Sequence, residues 1–167
     1  MNYNNTYKKY LVKLIYPNLK FSKVVVKKKL YKYFIIIPIY NEYKYIFKTL
    51  ESLNNQNQIY LSNTLIILLI NNSKNCSRDI VDNNYQTEQL ILSKQYNFEY
   101  ALLDYYSQQN AVNSKEFRIG TIRKIGMDFT LQYAKPDSLL FCLDADSVVS
   151  INYLKNIIKY YKKSHFD

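Results

Sequence analysis

Two carboxylates stand two residues apart in Asp144-Ala145-Asp146, directly after the apolar run at residues 139–143. In an extended segment alternate side chains point the same way, so both acids are expected on one side. Carboxylates held close repel each other unless a cation or a proton intervenes. Mg²⁺ and Mn²⁺ accept such oxygen ligands and complete their shells with phosphate oxygens and water. The chemistry expected is a metal and diphosphate site, with Mn²⁺ or Mg²⁺ as cofactor and Asp146 and Asp144 as ligands. The competing reading is a surface turn carrying two acids near a helix, because a bare D-x-D arises readily by chance.

Three further segments could do chemistry. Pro38-Ile39-Tyr40-Asn41-Glu42 follows an apolar, β-rich run at 33–37. Pro38 is expected to stop a strand there, Tyr40 offers a ring face to a base, and Asn41 and Glu42 can cap the helix that follows. A plain strand-to-helix turn needs no more than a proline and a cap. Asn71-Asn72-Ser73 follows a second run at 65–70, and its amides could bond a base edge, although Asn and Ser are also ordinary turn formers. The third segment holds both glycines of the chain, Gly120 and Gly126. Gly120 suits a tight lead into a helix and Gly126 a close approach of helix to sheet. Arg123, one of three arginines, is placed in the first turn of that helix, within reach of a phosphate or solvated on the helix surface. No G-x-G-x-x-G follows a strand and no G-x-x-x-x-G-K-[ST] occurs. Dinucleotide-binding and P-loop readings therefore lack their phosphate cradle.

The elements that must position these segments follow from periodicity. Strands are expected at 33–37, 65–70, 99–104 and 139–143. Helices are expected at 42–54, 79–92, 121–133 and 151–162, the last with Ser150 as N-cap. Strands alternating with helices imply an α/β fold, an open and mainly parallel sheet covered by helices on both faces. The candidate segments then stand at the carboxyl ends of strands, where such sheets bind ligands.

At 167 residues the chain is one domain by length, and its hydrophobic content of 48% suits a packed core. The net charge of +10 is unevenly spread. Residues 1–32 hold nine Lys and no acid, while the remainder has 14 basic and 13 acidic side chains. Without that arm the domain is near neutral, which argues against a nucleic-acid partner. The domain division read from this is a basic N-terminal extension at 1–31 and a ligand-binding domain at 32–167. Within the extension Tyr7, Tyr10, Leu11, Leu14 and Ile15 form a helical stripe beside Lys8, Lys9 and Lys13, ended by Pro17. It reads either as a basic amphipathic element on an anionic membrane surface or as an extension packed on the domain. Cys76 and Cys142 form no ligand-spaced pair, and His165, the one histidine, lies near the end of the chain. No apolar run approaches a membrane span and the start lacks a signal-peptide core. The expected location is cytoplasmic, with peripheral contact on the inner membrane face through residues 1–31.

Taken together, FIIIPIYNE, LIILLINNS, GTIRKIGMDFTLQYA and LLFCLDADSVVSINYL, in that order and spacing, resemble glycosyltransferase family 2, of GT-A fold. The resemblance runs from about Lys32 onward. It implies a hexosyltransferase-type enzyme that binds a nucleotide-diphosphate sugar through a divalent metal for transfer to the hydroxyl of a glycan or lipid-linked acceptor. Pro38 and Tyr40 would flank the base, with Glu42 nearby. Asn71 or Asn72 would occupy the place where the family usually has an Asp accepting from the uracil imide. Arg123 would approach the nucleotide or its diphosphate, Asp144 ribose or metal, and Asp146 would be the principal metal ligand. The family usually supplies its catalytic base beyond the D-x-D helix. Here 21 residues follow Asp146, so the base and the acceptor-binding half are expected outside this chain. Two alternatives remain: a catalytically incomplete nucleotide-binding fragment or interaction module, and a haloacid-dehalogenase-type phosphatase. In the phosphatase Asp144 would be the nucleophile and Asp146 the acid/base.

Overall fold

Runs such as Thr64–Asn71, apolar at almost every position, satisfy a strand only when both of its faces are covered. A computed structural model shows how the chain covers them; it describes Tyr10, residues 23–26 and residues 30–163. The order is β1 (Lys23–Val25), β2 (Tyr31–Ile39), α1 (Ile46–Asn54), α2 (Gln58–Leu61), β3 (Thr64–Asn71), α3 (Arg78–Leu92), β4 (Glu99–Tyr105), α4 (Ile119–Thr130), β5 (Ala134–Cys142) and α5 (Tyr153–Lys163). The strands form one sheet in the order β1-β4-β3-β2-β5. Four of them run parallel. β1, from within the basic extension, adds an antiparallel edge on β4. The chain steps outward from β2 through β3 to β4 and then crosses back past β2 to β5. That reversal opens a crevice at the carboxyl ends of β2 and β5.

Side-chain alternation divides the core into two halves. Ile35, Ile37, Ile39, Ile66, Leu68 and Ile70 pack against Ile46, Leu50 and Leu53 of α1 and Leu154 and Ile158 of α5. On the opposite face Phe34, Ile36, Leu65, Ile67 and Leu69 meet Ile122, Ile125 and Phe129 of α4. Each such side chain, when fully buried, contributes about 1.5–3 kcal/mol, so these two layers dominate the stability of the fold. Gly126 lets α4 sit down on β2: a Cβ there would lie 2.4 Å from Ile36 Cγ2.

Several local expectations change. β2 runs through Pro38, pairing it with Leu69, and ends at Ile39. The carbonyl of Ile36 accepts from Leu143 N–H at 3.0 Å. Pro38, two residues on, therefore turns its missing N–H to the β5 side, beyond the last β2–β5 pair at Ile36 and Cys142, and forfeits no ladder bond. α1 begins at Ile46, not at 42, because Tyr45 and Ile46 both donate to the Glu42 carbonyl at 3.0 Å in a preceding turn. Neither Asn41 nor Glu42 is thus the helix cap; the capping position is Tyr45. α5 begins at Tyr153, too late for Ser150 to cap it, and the Ser150 carbonyl instead accepts from Gln56 Nε2 at 2.8 Å. Gly120 lies in the first turn of α4 without a positive φ and with open space around it, so nothing there requires glycine.

No helix among the described residues is long and apolar enough to cross a membrane. The helical stripe of the extension lies outside the described residues apart from Tyr10, whose hydroxyl donates to Asp128 Oδ1 at 2.5 Å. His165 lies outside them as well.

Candidate functional site

The crevice is built from three strand ends. At the first, Pro38 is buried inside β2 while Tyr40 is 40% exposed. The Tyr40 ring lies 5.5 Å from that of Phe117, which arrives on the loop before α4. Asn41 adopts φ 59, the left-handed region that Asn tolerates better than branched residues. Its N–H donates to Asn84 Oδ1 at 3.0 Å. Glu42 comes next, its carboxyl pushed above the ordinary range by burial and then by the charge of Asp146.

At the second strand end Asn71 and Asn72 are both buried. Asn71 Nδ2 donates to the carbonyls of Ile39 and Leu69, each at 3.0 Å. Those two acceptors fix the amide orientation and leave Oδ1 as the atom without a protein donor among the described residues. Asn72 is consumed internally: its Oδ1 accepts from Asn84 Nδ2 at 2.9 Å and its Nδ2 donates to the Ser73 carbonyl at 3.1 Å. Of the two amides, Asn71 is the one with a group to offer. Beyond them, Val112 bridges Ser73 and donates to the Asn72 carbonyl.

The loop that supplies Val112 and Phe117 is tied down by Asp104 at the end of β4. Its carboxylate accepts from Tyr106 N–H, Ser107 N–H, Ser107 Oγ and Asn110 Nδ2 at 3.1, 2.9, 2.6 and 2.7 Å. Burial alone would raise the Asp104 carboxyl, but these donors outweigh it and hold it below its ordinary value.

The third strand end carries the two carboxylates, and here the backbone departs from the expectation. The strand stops at Cys142, and Ser147 N–H donates to the Asp144 carbonyl at 3.1 Å. The triplet therefore occupies a turn, and strand alternation does not govern its side chains. Asp144 forms an ion pair with Arg123 Nη2 at 2.8 Å, whereas the charge of Asp146 acts on Glu42. Arg123 Nε is enclosed and has no hydrogen-bond partner among the described residues. α1 and the residues just after it fix this turn through a stripe of polar side chains. Thr49 Oγ1 donates to the Ala145 carbonyl at 2.7 Å, Ser52 Oγ accepts from Val149 N–H at 3.1 Å, and Gln56 bonds Ser150 and Leu154.

The structure thus brings Arg123 to Asp144, Glu42 towards Asp146, and Asn41 to Asn71 and Asn72 through Asn84. Among the described residues no three His, Cys, Asp or Glu side chains cluster in a way that could hold a metal. Sequence reasoning missed Asn84, Phe117, Asp104 and the Thr49–Ser52–Gln56 stripe. Asn84 left a legible signal, since it shares the buried face of α3 with Thr87 and Ile91 at helical spacing. The others act through loops or backbone partners that no local pattern marks.

Residues 34–113 match the model of glycosyl transferase family 2. The matched segment is just under half of the chain. It spans the Tyr40–Glu42 turn, the Asn71–Asn72 turn and Asp104, and it stops short of Arg123 and the acidic triplet. Among solved structures the chain is similar to the crystal structure of S. aureus TarS 1–349, with a TM-score of 0.51 and 19% identity over 80% of this chain and 33% of that one. It is likewise similar to S. aureus TarS 1–349 in complex with UDP-GlcNAc, with a TM-score of 0.50 and 21% identity over 80% and 32%. The likeness shows a GT-A type fold, and the chain spans about a third of the length of either structure. No curated protein matches it.

Proposed function

We propose that the chain binds a nucleoside-diphosphate sugar across the carboxyl ends of β2, β3 and β5, as the donor-binding part of a hexosyltransferase-type glycosyltransferase. The observation that carries this reading is the division of the crevice into two ends of different chemistry. Tyr40 and Phe117 offer ring faces, and Asn71 an oriented acceptor, at the end suited to a base. Arg123, Asp144, Glu42 and Asp146 form a charged end suited to a diphosphate and its cation. An acceptor at Asn71 suits a base that presents an N–H, as uracil does, and the uncharged amide takes the place of the family's usual carboxylate.

The described residues bring too few ligands together to hold a divalent cation by themselves, so a cation here would depend on oxygens of the bound substrate. Glu42 and Asp146 oppose each other with like charge, and their oxygens are hard ligands that Mn²⁺ or Mg²⁺ accepts. Asp146 would be the principal ligand, with Asp144 beside it, and substrate oxygens and water would complete the shell. Such a metal stabilises negative charge gathering on the departing diphosphate. Arg123 would share that role, its guanidinium turning from Asp144 towards the incoming phosphate. The acceptor is a hydroxyl of a glycan or lipid-linked molecule, and the lysines of residues 1–31 outside β1 would supply peripheral contact with an anionic inner-leaflet surface. The phosphatase alternative leaves the matched Tyr40 and Asn71 turns without a task.

Calorimetric titration with UDP-GlcNAc and other sugar nucleotides, with and without Mn²⁺, tests the proposal. Wild type is expected to bind more tightly with Mn²⁺, and Asp146→Ala to lose that metal dependence. Metal-independent binding in wild type, or an unaltered Mn²⁺ response in Asp146→Ala, would overturn the site assignment.

A further inference from the structure

Asn84 has no exposed surface and stands 43 residues from Asn41 and 13 from Asn71 in sequence. Its Oδ1 accepts from Asn41 N–H at 3.0 Å. Its Nδ2 donates to the Asn71 carbonyl at 3.1 Å and to Asn72 Oδ1 at 2.9 Å. An N–H on one side and two oxygens on the other admit a single orientation of the amide. Neighbouring Asn83 adds a second tie to the same turn, its Oδ1 accepting from Tyr43 N–H at 3.2 Å. The turn after β2 is therefore fastened to the turn after β3 by a side chain that belongs to neither.

We propose that Asn84 is a positioning residue that sets base recognition. It holds the Tyr40 turn, with Asn41 in its left-handed conformation, in register with the Asn71–Asn72 turn, so that the Tyr40 ring and Asn71 Oδ1 act on one base. This rests on the nucleotide-sugar reading of the crevice. The chemistry at position 84 is specific to an amide. Asp would keep the acceptor for Asn41 but set oxygen against the Asn71 carbonyl and Asn72 Oδ1, and Leu would satisfy none of the three groups. Within the charged end only Glu42 shares the turn that Asn84 holds; Arg123, Asp144 and Asp146 hang on other supports, α4 through Gly126, α1 through Thr49, and Gln56 just beyond α1. Removing Asn84 should therefore damage the base end more than the charged end.

Two probes separate the ends: UDP, which carries a base, and Mn²⁺-pyrophosphate, which does not. In Asn84→Ala the affinity for UDP is expected to fall about tenfold or more, as loss of a buried hydrogen-bonding partner implies. Affinity for Mn²⁺-pyrophosphate should stay within about twofold, the spread of additivity between separate sites. Asn72→Ala removes one of the three bonds and serves as the milder variant should Asn84→Ala fail to fold; it should show the same split at smaller size. Equal losses on both probes, or unchanged UDP affinity in a folded Asn84→Ala, overturn the inference. Absence of UDP binding in wild type overturns the nucleotide reading itself, and this inference with it.

Discussion

Replacing Gly126 by Ala places a methyl 2.4 Å from Ile36 Cγ2, against about 3.5–4.0 Å for a relaxed carbon contact. The shortfall of about 1 Å cannot be absorbed by Ile36. That residue is β-branched, with little freedom at χ1. It is also fully buried on β2, which lies between β3 and β5. α4 must lift instead, at an overpacking cost of about 1–3 kcal/mol. Helix propensity returns about 1 kcal/mol of this, so the net expectation is destabilisation by about 1 kcal/mol. Gly120→Ala is the matched control in the same helix. It meets nothing within 4 Å and has an ordinary φ, so it should stabilise by up to about 1 kcal/mol. Urea denaturation of the two variants and wild type would measure both, and in a domain of this size each kcal/mol moves Tm by about 2–4 °C. Because Arg123 sits one turn before Gly126 on α4, Gly126→Ala should also weaken the Arg123–Asp144 pair and any diphosphate binding that depends on it. Two substitutions that shift stability in the same direction would refute the close-approach argument.

Asp104 gives the fold a pH dependence whose direction follows from its lowered carboxyl. The bonds from Tyr106, Ser107 and Asn110 favour the ionised form. Their stabilisation is therefore complete above the unfolded value of 3.8 and is lost as pH falls through the lower folded value. The stability gap between wild type and Asp104→Asn should be widest near neutral pH and close in strong acid, as read by urea titrations at several pH values. At Asn41, φ 59 makes Asn41→Gly close to neutral, whereas Asn41→Val should cost about 1–2 kcal/mol; equal effects of the two would show that the conformation is not held in solution.

Alternating runs and helical stripes were enough to place four parallel strands and the helices between them, because binary periodicity is a local property of the chain. The parallel direction of the strands then followed from the helices between them, since parallel neighbours need a crossover, whereas the strand order came from the structure. Element ends were less legible. Pro38 reads locally as a terminator, yet β2 passes through it because β5 has already turned away, a fact about a neighbouring strand. Gly126 was readable as a close approach, whereas Gly120, identical in type, proved unconstrained.

The candidate site shows the same division more sharply. Residue types and spacing in the sequence determined which side chains stand at strand ends, Tyr40, Glu42, Asn71, Asn72, Asp144 and Asp146, and put Arg123 on a helix. Only the tertiary structure decided how they are used. It turned the acidic triplet out of extended conformation, gave Asp144 to Arg123 and set Asp146 against Glu42. It also withdrew Asn72 into the protein through Asn84 and, through the carbonyls of Ile39 and Leu69, left Asn71 with an oriented oxygen. The reason is that hydrogen-bond partners lie 21 residues apart for Arg123 and Asp144 and 43 apart for Asn41 and Asn84. A sequence pattern records which groups are available, while the packing of α1, α3 and α4 on the sheet fixes which of them meet.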